Sequence, residues 1–312
     1  MKRAILVACL LCFLVAACTR QYGSVSAGMT AYKARDYSAA AADFRLAAQH
    51  GDAPAQAMLG IMYVQGQGVP QDYAKAVKWF RLAARQGHAI AQASLGLLYY
   101  HGLGVPRDYA KALKWFRLAA QQGNAAGQYN LGFMYGKGQG VPLDYAKALK
   151  WLRLAAQQGD AGAQGMLGIL YVNSPGVPQN YAKALKWDRL AAQQGLGMAQ
   201  YDLGVMYQQG LGVSVNYTKA LKWLRLAADQ GLGVAQAKLA GLYVTGQDVP
   251  QDYVEAYKWC KLSKASFKPG TNSYKMAGTA IAELSTMMTT AQIAQGQQEA
   301  SAWWAAHHKG GS

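Results

Sequence analysis

Small and apolar residues fall into short blocks of helical spacing along this chain, and each block ends in a run that no helix tolerates. Ala91-Gln-Ala-Ser-Leu-Gly-Leu-Leu-Tyr-Tyr100 places small and large apolar side chains on one helical face, which predicts a first helix, A. Gly102, Gly104 and Pro106 follow, a density of breakers that predicts a loop. Asp108 then stands at the head of a second periodic block, where its carboxylate can accept from the free amides of a first helical turn. That block, helix B, runs through Lys-Ala-Leu-Lys-Trp-Phe-Arg-Leu-Ala-Ala-Gln-Gln to Gly123, and a glycine there can take the left-handed conformation that stops a helix.

The unit repeats. Trp79, Trp115, Trp151, Trp187, Trp223 and Trp259 stand 36 residues apart, each with a tyrosine six places earlier. Gly60, Gly96, Gly132, Gly168 and Gly204 form another column, which becomes Ala240 in the last copy. A fixed period of this length marks an array whose units bury their apolar faces by stacking on their neighbours. The column Asp72, Asp108, Asp144, Asn180, Asn216 and Asp252 holds only good N-caps, so these carboxylates read as structural rather than catalytic. On a helical wheel, Tyr73, Ala76, Val77, Trp79, Phe80, Ala83 and Ala84 fill one apolar arc, and Lys75, Lys78 and Arg81 fill the complementary one. The tryptophan is expected to be a buried packing anchor between adjacent helices.

The pattern Ala-x-x-x-Leu-Gly-x-x-Tyr, Gly-x-Gly-Val-x-x-Asp-Tyr-x-Lys-Ala, Trp and Ala-Ala-x-x-Gly resembles the Sel1-like repeat family, a relative of the tetratricopeptide repeat. It is written here as Ala91, Leu95, Gly96, Tyr99, Gly102, Gly104, Val105, Asp108, Tyr109, Lys111, Ala112, Trp115, Ala119, Ala120 and Gly123. The resemblance implies an all-α, right-handed α-solenoid of stacked helix-turn-helix repeats acting as a protein-binding scaffold. It covers six copies over residues 53–265. A degenerate unit with Asp43 in the tryptophan column occupies 24–51, and the chain reads as one continuous array. The loop of the fourth copy departs from pattern at Ser174-Pro175, and the last loop has Asp248 where glycine is expected. Residues 266–308 break the period and read as a C-terminal helical cap, with a Pro269-Gly270 turn before helices near 277–288 and 291–306.

Residues 1–18 read as an export signal: Lys2 and Arg3, then an apolar stretch too short to span a bilayer, then Ala16-Ala17-Cys18. Val15-Ala-Ala-Cys18 resembles a bacterial lipobox, which implies lipid attachment at Cys18. Thr19 beside it points by the usual sorting pattern to the periplasmic face of the outer membrane; the alternative is a soluble periplasmic or secreted protein. Cys260 is then the only cysteine of the folded body and reads as a buried, inert thiol. His50, His88, His101 and His307-His308 form no set at ligand spacing, so no metal or cofactor is expected.

The formal charge is +16, from 31 Lys and Arg against 15 Asp and Glu. Seventeen of the basic residues fall in three helix-B columns led by Lys75, Lys78 and Arg81, a solvated ridge or one that meets anionic headgroups. Nucleic acid is not expected as partner: an exported chain does not meet it, and the ridge shows no interleaved exposed aromatics. Helix A varies instead, as at Ala57, Ala93, Tyr129, Gly165, Tyr201 and Ala237, and columns free to differ lie off the packing surface. First helices usually line the concave side of such arrays. Tyr129, Asn130, Phe133, Lys137, Tyr201 and Asp202 therefore form the candidate protein-binding face, for an envelope complex or a host factor. A hydrolase acting on cell-wall or antibiotic substrates and an envelope polysaccharide binder are the alternatives.

Overall fold

The structure, a computed structural model, describes residues 24–246 and 250–307; the proposed signal, Cys18, Asp248 and His308 lie outside them. Their regular elements are all helices, and they fall in two compact units that divide between residues 158 and 159. The first unit holds α1 (Val25–Lys33), α2 (Tyr37–Gln49), α3 (Ala53–Gln65), α4 (Tyr73–Arg85), α5 (Ala89–His101), α6 (Tyr109–Gln121), α7 (Ala125–Lys137) and α8 (Tyr145–Gln157). The second holds α9 (Ala161–Asn173), α10 (Tyr181–Gln193), α11 (Gly197–Gln209), α12 (Tyr217–Asp229), α13 (Gly233–Thr245), α14 (Tyr253–Ser266), α15 (Asn272–Met287) and α16 (Thr290–His307). Within each unit, helix A packs on helix B of its own repeat and on helix B of the repeat before. Each unit is thus a stack of α-solenoid repeats. The degenerate unit at 24–51 is a complete helix pair, α1 and α2.

The caps are as their residue types dictate. Asp108 Oδ1 accepts from the Lys111 amide at 2.9 Å, and Asn180 and Asn216 do the same for Lys183 and Lys219 at 2.8 Å. Helix A ends at Gly102 in the left-handed region, and Asp108 N then donates to Tyr99 O at 2.9 Å, closing the loop. Gly104 has φ +68°, and a Cβ there would lie 2.4 Å from the Tyr73 carbonyl carbon of the preceding helix B, so glycine is required twice over. In the fourth repeat, α9 ends instead at an extended Ser174.

The core anchor is the residue after the tryptophan. Phe80, Phe116, Leu152 and Leu224 are buried to 1% exposure or less, while Trp79, Trp115, Trp151, Trp187 and Trp223 are only half-buried at the edge of the core. This corrects the sequence expectation, and the helix-A glycine explains it. A Cβ at Gly96 would lie 2.6 Å from the Phe116 ring, and one at Gly204 would lie 2.5 Å from Leu224 Cγ. The glycine lets helix B close until the anchor side chain rests on helix-A backbone, which leaves the neighbouring indole at the rim. Trp259 differs because the cap covers it: it is 1% exposed, meets Trp303 edge-on at 6.0 Å, and donates its indole N–H to Glu255 at 2.8 Å.

A second buried column is polar. Gln92 Nε2 donates to Ala84 O at 3.1 Å, and Gln92 Oε1 accepts from Gln122 Nε2 of the next helix-B end at 2.7 Å. The same bridge joins Gln56 to Gln86, Gln128 to Gln158, Gln164 to Gln194 and Gln200 to Gln230, at 2.8–2.9 Å. These amides satisfy helix-end carbonyls that water does not reach.

Candidate binding face

In the first unit, α5 and α7 bring aromatic side chains together. Phe133 lies 6.2 Å from Tyr129 in a tilted pair and 6.4 Å from Tyr100 edge-on. Tyr100 also meets Tyr109 at 5.2 Å, and its hydroxyl donates to Gln139 Oε1 at 2.6 Å. Tyr129 and Phe133 remain half-exposed. Asn130 Nδ2 is turned back onto its own helix, donating to Ala126 O at 2.8 Å, so its amide is partly occupied. Lys137 is the exposed last residue of α7, at the negative end of that helix dipole. All four expected residues of this unit therefore lie on α7, and Tyr100 from the preceding repeat joins the pair of rings through Phe133. The Tyr100 column varies too (Val64, Gly136, Val172, Gln208 and Val244), so the same column argument, carried one turn further, finds it.

In the second unit, Tyr201 lines a cavity of about 380 Å³ with Lys238, Cys260, Phe267 and Met276. Its walls come from α11, α13, α14 and α15, so the cap completes it. Cys260 is buried, and burial pushes its thiol up to about 11, which makes it a poor nucleophile at neutral pH. Asp202 does not line this cavity. Burial raises its carboxyl to about 6, and burial together with Asp202 also raises the Tyr201 hydroxyl.

Behind Asp202 lies a residue that sequence reasoning missed. Asp188 occupies the core-anchor column, where its counterparts are Phe80, Phe116, Leu152 and Leu224. It is 1% exposed, and neither carboxyl oxygen has a hydrogen-bond partner. A Cβ on Gly168 would lie 1.8 Å from Asp188 Oδ1, so the carboxyl rests on the same glycine surface that takes phenyl or isobutyl groups elsewhere. Burial, reinforced by Asp202, lifts its pKa to about 8. The carboxyl is therefore largely neutral at pH 7, the state an unpartnered buried acid must adopt. The signal was present in the 36-residue register, one place past the tryptophan.

On helix B, most ridge lysines lie over a ring. Lys111 Nζ is 5.5 Å from the Tyr99 centroid, and Lys114 Nζ is 6.0 Å from that of Trp115. The half-buried tryptophans border the ridge cations, although none of these rings is fully exposed. Among the described residues no three His, Cys, Asp or Glu side chains form a group that could hold a metal ion. Nor is any described helix long and apolar enough to cross a membrane.

The Sel1 repeat family model matches residues 53–88, 89–124, 125–160, 161–196, 197–232 and 233–265. A Sel1 repeat protein of Oxalobacter formigenes is 31% identical, with a TM-score of 0.70 over 78% of this chain and 97% of that one. A Sel1 repeat protein of Klebsiella pneumoniae is 27% identical over 65% of this chain and 98% of that one, with a TM-score of 0.45. A protective antigen of uropathogenic Escherichia coli is 28% identical over 86% of this chain and 79% of that one, with a TM-score of 0.37. No curated protein matches. Repeats of this kind generally serve as non-enzymatic scaffolds for binding between proteins. With its six matched repeats, glycine-seated core anchors and paired helices, the chain belongs to the Sel1 repeat family.

Proposed function

We propose that this chain is an envelope scaffold that binds another protein through its helix-A face. The half-exposed ring cluster of Tyr100, Tyr129 and Phe133 carries the reading. Aromatic side chains that are already ordered bury large area at small entropic cost, as binding hot spots do. In the second unit the cavity beside Tyr201 offers an apolar recess with Lys238 at its wall, suited to an apolar side chain of the partner. On the same reading the chain is exported and anchored through a lipid on Cys18, at the periplasmic face of the outer membrane. The signal pattern of residues 1–18 supports this.

A photo-crosslinking residue in place of Tyr129 tests the face. One dominant protein adduct at Tyr129, lost when Phe133→Ala is added and not formed from Lys114 on helix B, is the expected result. Protein adducts from Lys114 alone, or from neither site, would overturn the assignment. For the anchor, Cys18→Ser should move the protein out of the membrane fraction, and retention there after salt extraction would remove the lipid from the account.

A further inference from the structure

The ridge on helix B is a second surface that the scaffold role does not use. In the first unit α4, α6 and α8 carry it three times over. Lys75, Lys111 and Lys147 pair with their cap aspartates at 2.9–3.1 Å yet keep about 60% of their side chains exposed. Lys78, Lys114 and Lys150 are exposed and, among the described residues, pair with no carboxylate. Four residues after them comes a leucine, one helical turn on and therefore on the same face. It is 36% exposed at Leu82 and 38% at Leu154. Between lysine and leucine sit the half-buried indoles of Trp79, Trp115 and Trp151, with lysine Nζ atoms 5.6–6.0 Å from the ring centroids. The second unit repeats the arrangement on α10 and α12, where Asn180 and Asn216 replace the cap aspartates, so the cations there stand without carboxylate partners at the caps. Leu190 and Leu226 are 38% and 40% exposed.

Charge alone would suit any polyanion. The leucines and tryptophans among the lysines narrow the choice. A soluble polyanion has no use for exposed isobutyl groups, whereas a bilayer surface takes lysines at its phosphates and indoles and leucines at the headgroup–acyl boundary. We propose that the helix-B face is a peripheral docking surface for an anionic lipid bilayer. The surface is separate from the helix-A face and from any lipid on Cys18. Docking by helix B would leave the helix-A face that carries Tyr129 and Phe133 accessible to a protein.

The test uses the full chain with Cys18→Ser throughout, so that acylation there contributes nothing, and measures co-sedimentation with phosphatidylcholine vesicles with and without phosphatidylglycerol. The parent should bind only the anionic vesicles, and less as salt rises. Replacing Lys78, Lys114 and Lys150 by Gln should weaken binding about 100-fold, at about fivefold per lysine. Leu82→Ser with Leu154→Ser should weaken it severalfold while leaving binding to dextran sulfate unchanged. Should the triple variant melt early, Lys114→Gln alone should still show its fivefold loss. Equal binding to both vesicle types, or undiminished binding by the lysine variants, would overturn the proposal. A leucine variant that binds vesicles like the parent, with dextran sulfate competing fully, would overturn it in favour of a soluble polyanion.

Discussion

Asp188 is the residue at which this repeat array departs furthest from its own rule. Its folded pKa of about 8 lies above the ordinary value of 3.8, so the folded state holds a proton that the unfolded chain has lost. The stability linked to that proton is complete below about pH 4 and is lost as pH rises through about 8, at about 1.4 kcal/mol per pH unit within the window. Asp202, raised to about 6, acts in the same direction over a narrower range. Asp188→Leu, which restores the side chain found at Leu152 and Leu224, should therefore raise Tm at pH 8 and flatten the fall in stability between pH 5 and 8. Thermal melts across that range check it, and an unchanged slope would mean that the proton sits elsewhere. The anchor column makes a second prediction. Leu152→Ala should cost about 2–5 kcal/mol, because Leu152 is fully buried against Gly132. Trp151→Ala, removing a half-exposed ring, should cost less, and denaturant melts that reversed the order would reinstate the tryptophan as anchor.

At the scale of the element, each helix pair is held by groups of opposite character. An apolar anchor seats helix B on helix A, and a buried glutamine ties the end of helix B to the start of the next helix A. Gln128 donates to Ala120 O at 3.3 Å and accepts from Gln158 Nε2 at 2.8 Å. Gln128→Leu removes both bonds and leaves the Ala120 carbonyl buried without that donor, a loss of about 1–3 kcal/mol. Asn130→Ala, on the exposed side of the same helix, should stay within about 0.5 kcal/mol. Equal effects in urea melts would show that the glutamine column is not structural. The helices, loops and caps were legible in the sequence because each depends on nearby residues: glycine at a left-handed cap, aspartate or asparagine at an N-cap, a 36-residue return of both. The glutamine bridges were not, since Gln92 and Gln122 meet only once the helices pack.

For the molecule as a whole, the charge of +16 is carried largely by exposed Lys and Arg on the helix-B faces. Exposed Asp–Lys pairs such as Asp108–Lys111 are worth little, so self-repulsion outweighs what salt takes from them. Moderate salt should raise Tm by a few degrees, and the Lys78, Lys114, Lys150→Gln variant should gain less. A Tm that falls with salt would show the pairs to be the stronger effect. The cap acts at this scale too. By covering α14 it buries Trp259 and closes the cavity beside Tyr201, features no single repeat could supply.

The period, the helix pairs, the family and the three basic columns followed from the order of residues alone, because local backbone preference and 36-residue recurrence are properties of the chain. Three things waited for tertiary structure. The glycine column had to meet its partner before the residue after tryptophan emerged as the anchor. The fourth repeat had to close before Asp188 was seen to be buried without a partner. The helices had to stack before Tyr100 joined Tyr129 and Phe133, and before Lys238 and Tyr201 shared a cavity. In each case the deciding quantity is the solvent left around a side chain after packing, which depends on neighbours 18 to 40 residues away and not on the residue itself.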